Sequence, residues 1–183
     1  MEFYEHDEKN LIRRICSWVV DITVALAFAW FCLNSFGMQV TISGQSMVPL
    51  LNSGDVVLVN RLAYDLGKPK RLDVVVFERE DKKANVKRVI GVPGDVVQIK
   101  NNQIYINDRL LEAEELQQVS LAGLAEYPIE LGENEYFLLG DNRDSSEDSR
   151  FTNVGNVKES QIRGRVWLRI FPLIDISLIH SGS

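Results

Sequence analysis

The run from Ile15 to Phe36, ICSWVVDITVALAFAWFCLNSF, holds 22 residues and a single charge, Asp21. As a helix it is about 33 Å long, enough to cross the hydrocarbon core of a bilayer. A buried helix of a water-soluble domain is the competing reading. Two of the three tryptophans, Trp18 and Trp30, lie towards its ends, where amphipathic rings sit at membrane interfaces. A cleaved leader would be shorter and followed by a small-x-small site, and the FGMQVT that follows offers none. The run is read as an uncleaved anchor over 15–36, behind a short segment 1–14. Lys9, Arg13 and Arg14 precede it, whereas no Lys or Arg occurs from Ile15 to Asn60. The positive-inside rule then puts 1–14 in the cytoplasm and 37–183 outside, in a single-pass plasma-membrane protein. Asp21 is tolerable near the cytoplasmic interface.

Beyond the anchor the pattern changes to period two and β-branched runs. DVVLVN (55–60), DVVVFE (73–78), VKRVIG (86–91), DVVQIK (95–100), QIYIN (103–107), EYFLLG (135–140) and GRVWLRIF (164–171) read as strands. KNNQ between two of them reads as a hairpin turn, and VPGD (92–95) as another tight turn. Only 111–126 could be helical, and it reads equally well as an inserted loop. Strands this close leave no room for crossover helices. The expected fold is mostly β, a single transmembrane helix followed by an antiparallel barrel or sandwich spanning 37–183.

Composition removes several function classes. The formal net charge is −6, and no basic stripe is present for a nucleic-acid partner. Both cysteines, Cys16 and Cys32, lie in the anchor, about 24 Å apart along one helix, so they cannot pair within it. With two histidines, His6 and His180, near the chain ends, no transition-metal site has its spacing. Neither a metal nor another cofactor is expected.

Ser46 lies about ten residues beyond the anchor, which ties it to within about 36 Å of the membrane. Gly44 and Pro49 flank it and allow a sharp backbone. Read alone, it is one more hydroxyl in a turn. A nucleophilic role needs a base, and neither histidine is well placed. A lysine kept neutral by burial is the remaining choice, and Lys87 in NVKRVIGVPGD fits. Alternation puts Lys87 with Val89 on one strand face and Val86, Arg88 and Ile90 on the other. It leaves open whether Lys87 faces a core or, on a two-sided edge strand, solvent. The run GDNRDSSEDSR (140–150) alternates carboxylates and hydroxyls. It lacks the sixth-position glycine of an EF-hand loop. It reads either as a solvated loop or as a self-bonded polar cluster, with pairs such as Asp148–Arg150 and Asp144–Arg143, that offers a hydroxyl to a buried amine.

Together these three stretches resemble the bacterial type I signal peptidases, membrane-bound serine–lysine proteases. The pattern Ser-Met-x-Pro-Thr-Leu is met by Ser46, Met47, Pro49 and Leu51, with Leu50 in place of threonine. Lys-Arg-x-x-Gly-x-Pro-Gly-Asp is met by Lys87, Arg88, Gly91, Pro93, Gly94 and Asp95. The late Gly-Asp-Asn-Arg-Asp-x-Ser-x-Asp-Ser-Arg is met from Gly140 to Arg150. Three ordered motifs over nearly the whole chain make the match specific.

The resemblance implies that Ser46 attacks the scissile carbonyl, with Lys87 as general base. It implies that Ser146 orients the lysine amine, and that Asp141, Arg143, Asp148 and Arg150 build the loop around it. The Ser46 amide would give one oxyanion donor. Met47 and Val86 would line shallow pockets for small side chains, implying Ala-x-Ala-like cleavage sites. The implied partners are signal-peptide-bearing preproteins and the lipid bilayer, with no nucleic acid. Two further departures are Leu72, where Arg-Gly-Asp is usual, and Gly44, where some members carry a serine that completes the oxyanion hole. A signal-peptidase-like protein dedicated to pilus assembly, either a specialised peptidase or a non-catalytic chaperone, is the alternative.

Overall fold

The structure is a computed structural model that describes residues 2–36, 38–79, 83–113 and 118–180. One continuous helix, α1, runs Glu2–Phe36. It begins before the expected anchor, so no structural break separates 2–14 from 15–36. Within it Arg13–Cys32 has a mean hydropathy of 1.9, and none of that stretch is buried against the rest of the protein. Its apolar side chains are exposed all round, from Ile15 and Trp18 through Leu26 and Phe28 to Trp30 and Phe31. A core helix of a soluble domain would hide one face, so the exposure suits a membrane span. Thr23 returns its hydroxyl to the Val19 carbonyl, satisfying a polar group within the span.

Beyond it the described residues form twelve strands, a short helix and four 3₁₀ turns. The strands and the helix are β1 Met38–Thr41, β2 Val56–Asn60, α2 Leu62–Asp65, β3 Val74–Glu78, β4 Ala84–Gly91, β5 Val96–Lys100 and β6 Gln103–Ile106. Then follow β7 Arg109–Leu110, β8 Ile129–Glu130, β9 Glu135–Leu139, β10 Val157–Lys158, β11 Ile162–Phe171 and β12 Ser177–Leu178. Eight strands form one sheet in the order β1-β2-β11-β3-β4-β9-β10, with β12 also on β11. Four form a second, β7-β6-β5-β8. Each of the pairings is antiparallel. The fold is therefore the mostly β, antiparallel architecture expected, in a two-sheet form. Each of the seven segments read as strands from the sequence forms one, with ends shifted by one or two residues.

Turn chemistry explains the registers. The β5–β6 hairpin closes through Asn101 and Asn102, both at positive φ (53° and 63°), the twist-matched turn that asparagine tolerates. Asn107 and Asp108 do the same between β6 and β7 (50° and 63°). In the VPGD turn, Asp95 takes the Val92 amide on its own carboxylate. Leu72, the departure noted before β3, has a φ of 68°. The turn glycine would favour is thus kept, with leucine bearing the strain. Burial of that side chain against Ile90 and Leu139 offsets the cost.

Segment 111–126 forms no α-helix among its described residues, and 114–117 lie outside them. Residues 118–126 run as a loop ending in a 3₁₀ turn, Gly123–Glu126. Val119 and Ala125 are fully buried under the four-stranded sheet. Single apolar residues anchor the loop one by one, so no helical stripe is required.

Three apolar clusters form the core. One joins Val97, Ile99, Ile104 and Ile106 of the small sheet to Ile90, Phe137 and Leu139 of the large one. A second surrounds Val57, Val59, Val74, Val76 and Val166 and includes Met47 and Leu51. A third contains Val75, Phe77, Val89 and Leu138. Met47 and Leu51 are completely buried, each worth about 1.5–3 kcal/mol. They fix the turn that carries Ser46 to the end of β1 and β2.

Candidate active site

Ser46 stands at the start of a tight turn. Val48 donates its amide to the Gln45 carbonyl, and Leu51 to that of Met47. Gly44, at a φ of 85°, makes the entry to this turn. The Ser46 carbonyl accepts from the Asn142 amide at 3.0 Å, which ties the turn to the start of the 140–150 loop.

Lys87 lies in β4, which pairs with β3 through Val75↔Lys87 and with β9 from Arg88 onward. β4 is thus an inner strand from Arg88 onward, and Lys87 and Arg88 are both buried, 3% and 1% exposed. The two-sided edge strand is excluded. The Lys87 amine donates to the Ser46 hydroxyl at 2.7 Å across 41 residues of sequence. Burial pushes the amine down to about 8 from 10.5. Asp148 and Glu147 work against that shift, and Arg150 and Arg79 add to it. An amine of this kind has a substantial neutral fraction near neutrality and accepts protons there.

The loop after β9 surrounds this pair with buried charge. Arg88 grips Asp141 through two bonds, Nε to Oδ1 at 2.8 Å and Nη2 to Oδ2 at 2.7 Å. Asp148 and Arg150 form the second fork, at 2.8 and 3.0 Å, and the Asp148 carboxylate also accepts the Gly140 amide. Arg150 further donates to the carbonyls of Arg143 and Leu121. Of the two expected pairs, Asp148–Arg150 forms and Asp144–Arg143 does not. Asp144 instead accepts from Ser120. Arg143 is buried with none of its guanidinium nitrogens hydrogen-bonded. Burial pushes it down to about 10, against the fields of Asp141 and Asp148.

Ser146 is buried, and its hydroxyl has no hydrogen-bond partner. It packs on Gly140. A Cβ at Gly140 would lie 2.3 Å from the Ser146 hydroxyl and 2.5 Å from the Ser46 carbonyl oxygen. Only glycine lets β9's end bring the two serine segments this close. The motifs contain Arg88, Gly140, Asp141 and Asn142, but only Asp141 is given a part there. That Asp141 pairs with Arg88, that Gly140 admits Ser146 and that the Asn142 amide holds the Ser46 carbonyl are set by contacts distant in sequence.

Beside Ser46 lies a small cavity of about 30 Å³ lined by Val40, Thr41, Ile42, Met47, Asn85 and Val86 among others. Met47 and Val86 are at its wall. A far larger groove of about 800 Å³, around Arg61, Tyr64, Glu135 and Lys158, includes neither Ser46 nor Lys87. Ser46 lines the small one.

The family description "Signal peptidase, peptidase S26" matches residues 15–171. Signal peptidase I of Bacillus caldolyticus is 36% identical over 167 residues, covering 85% of this chain and 88% of that one. Signal peptidase IB of Staphylococcus aureus is 33% identical over 176 residues, covering 87% and 91%. A crystal structure of a signal peptidase I from Enterococcus faecalis aligns with a TM-score of 0.44 at 28% identity, over 54% of this chain and 96% of the other. With its three motifs in order and a family match over most of its length, the chain belongs to the peptidase S26 signal peptidases.

Proposed function

We propose that this signal peptidase cleaves exported preproteins behind their signal peptides with Ser46 as nucleophile and Lys87 as general base. The observation that carries the reading is the 2.7 Å contact between the Lys87 amine and the Ser46 hydroxyl, made by a lysine that burial holds close to neutrality. In the neutral form the contact reverses. The Ser46 O–H donates to the amine lone pair and loses its proton as Oγ attacks the carbonyl. The oxyanion takes the Ser46 amide as a donor. Lys87, now an ammonium, needs acceptors. The resemblance gives that part to Ser146, whose buried hydroxyl has no hydrogen-bond partner among the described residues. The ammonium then protonates the leaving amine as the C–N bond breaks, leaving an acyl ester on Ser46. Water, deprotonated by Lys87, hydrolyses that ester and restores the serine.

The groove supports the substrate assignment. β1 is the edge of its sheet, and Ala84–Lys87 of β4 pair only with β3. Both therefore leave backbone groups free beside the cavity, where an extended peptide can add as a strand. A cavity of about 30 Å³ has room for a methyl-sized side chain and little more, which favours small residues at the cleavage site. The basic residues before the span favour a cytoplasmic N-terminus and a catalytic domain outside.

Incubating the purified protein in detergent with a secreted precursor, followed by mass spectrometry of the products, tests the reading. A cut after a small-x-small sequence is expected, and Ser46→Ala should abolish it. Equal processing by Ser46→Ala would sink the nucleophile assignment.

A further inference from the structure

The loop 118–126 lies outside all three motifs and is fastened on two sides. One side belongs to the small sheet. Val119 and Ala125 are buried in one cluster with Val97, Ile99, Ile104 and Ile106. The Val119 amide donates to the Asn102 carbonyl at 2.9 Å, and the Gln98 side-chain amide to the Glu126 carbonyl at 3.1 Å. The other side grips the 140–150 loop. The Arg150 guanidinium donates to the Leu121 carbonyl at 3.0 Å, and the Leu124 amide donates back to the Arg150 carbonyl at 2.9 Å. Ser120 donates its hydroxyl to the Asp144 carboxylate. Gly123, at a φ of 57°, lies so close that a Cβ there would stand 2.3 Å from the Arg150 carbonyl oxygen. That oxygen is backbone and cannot swing aside, so only glycine allows the approach.

We propose that this loop is a positioning clip for the serine–lysine pair, using the small sheet as a rigid support and Arg150 as the point of attachment. This rests on the serine–lysine reading above. The contacts run from clip to nucleophile without a gap. Arg150 holds both the Asp148 carboxylate and the Arg143 carbonyl, so it fixes the two ends of the stretch that contains Ser146. Asp148 accepts the Gly140 amide at 3.1 Å. Gly140 packs against the Ser146 hydroxyl and the Ser46 carbonyl oxygen, and the Asn142 amide holds that same carbonyl at 3.0 Å. Ser46 in turn meets the Lys87 amine at 2.7 Å. Residues 118–126 touch none of the reacting atoms; they act by deciding where the Ser146 stretch and the Ser46 turn stand. The described residues that line the cavity beside Ser46 come from β1, the Ser46 turn and β4, not from the clip. Loosening the clip should therefore slow turnover and spare substrate binding, since small displacements of a positioned group are costly to the chemical step.

The test is kcat and KM for the full chain in detergent, on a short peptide with a small-x-small site, with each rate divided by the folded fraction from near-ultraviolet circular dichroism. Ser120 is exposed, so Ser120→Ala removes the bond to Asp144 with little packing lost. It should lower kcat about threefold, and Ser120→Thr, which keeps the hydroxyl, should restore it. Gly123→Ala should lower kcat about tenfold or more, with KM within about twofold of wild type in every variant. If Gly123→Ala does not fold, the two Ser120 variants decide. A loop that contributes stability alone would lower the thermal midpoint and leave kcat per folded molecule unchanged. That result, or a rise in KM at constant kcat, overturns the proposal. Failure of the underlying reading looks different, because Ser46→Ala would then turn the peptide over as fast as wild type, and both claims would fall.

Discussion

Lys87 is held by the fold at a cost that its proposed task requires. Folding lowers its pKa from 10.5 to about 8, chiefly by burial. The unfolded chain therefore binds more protons than the folded one between those values. Below about pH 8 the lysine is protonated in both states, and burial of the charge weighs fully against the fold. As pH rises from about 8 to 10.5 that cost disappears, so stability should increase over this window from this group. Activity should rise through the same folded pKa near 8, because only the neutral amine serves as base. Lys87→Met keeps the chain length and removes the charge. It should abolish processing yet raise the thermal midpoint at pH 7, by up to roughly 3 kcal/mol of stability less about 1 for the lost Ser46 contact. Differential scanning of both proteins at pH 7 checks the sign. A lower midpoint for the variant would show that the lysine is stabilising there.

Elements enter through their joints. β4 brings Lys87 to the site, and Arg88, one residue on, clamps the same strand to the loop after β9 through Asp141. Both partners are out of water, 1% and 4% exposed at their side chains. Asp141→Asn leaves a buried guanidinium uncompensated and should cost about 3–5 kcal/mol in denaturant unfolding. The double change Arg88→Met with Asp141→Leu should recover most of it, since a packed apolar pair avoids desolvating two charges. A double variant as unstable as the single one would mean that the loop depends on the ion pair itself.

At the scale of the whole molecule, the anchor and the site are related by a surface. Phe171, Leu173, Ile174, Ile176 and Leu178 are all exposed, Ile174 at 93%. They run from the end of β11 into β12, and Arg169 donates to the Leu50 carbonyl of the Ser46 turn and to the Asp175 carbonyl. An apolar surface joined through Arg169 to the turn that carries Ser46, on a chain with a helix long and apolar enough to cross a membrane, suits contact with a bilayer. Leu173→Ser with Ile174→Ser should slow processing of a precursor inserted in vesicles about tenfold and leave cleavage of a short soluble peptide unchanged. Equal losses on both substrates would place the defect in the site instead.

Much of this was legible in the residues. The span, the period-two strands and the asparagine hairpin are local consequences of side-chain pattern and backbone preference, and they need no partner. The three motifs identified the family, because an ordered set of such specific residues is not met by chance. What tertiary structure alone decided was which groups meet. Alternation could not say whether Lys87 faced water, because the answer depends on how the Ser46 turn and the loop after β9 pack around its side chain. Arg143 was paired on paper with its neighbour Asp144, but packing turned Asp144 to Ser120 and buried the arginine without a hydrogen-bond partner. Arg88–Asp141 and Arg79–Glu147 join residues 53 and 68 positions apart. Sequence proximity carries no information about such pairs. The chain determined its elements and its reactive groups locally, whereas the proton affinity of its lysine is a property of burial and opposing charges that exist only once the sheets have packed.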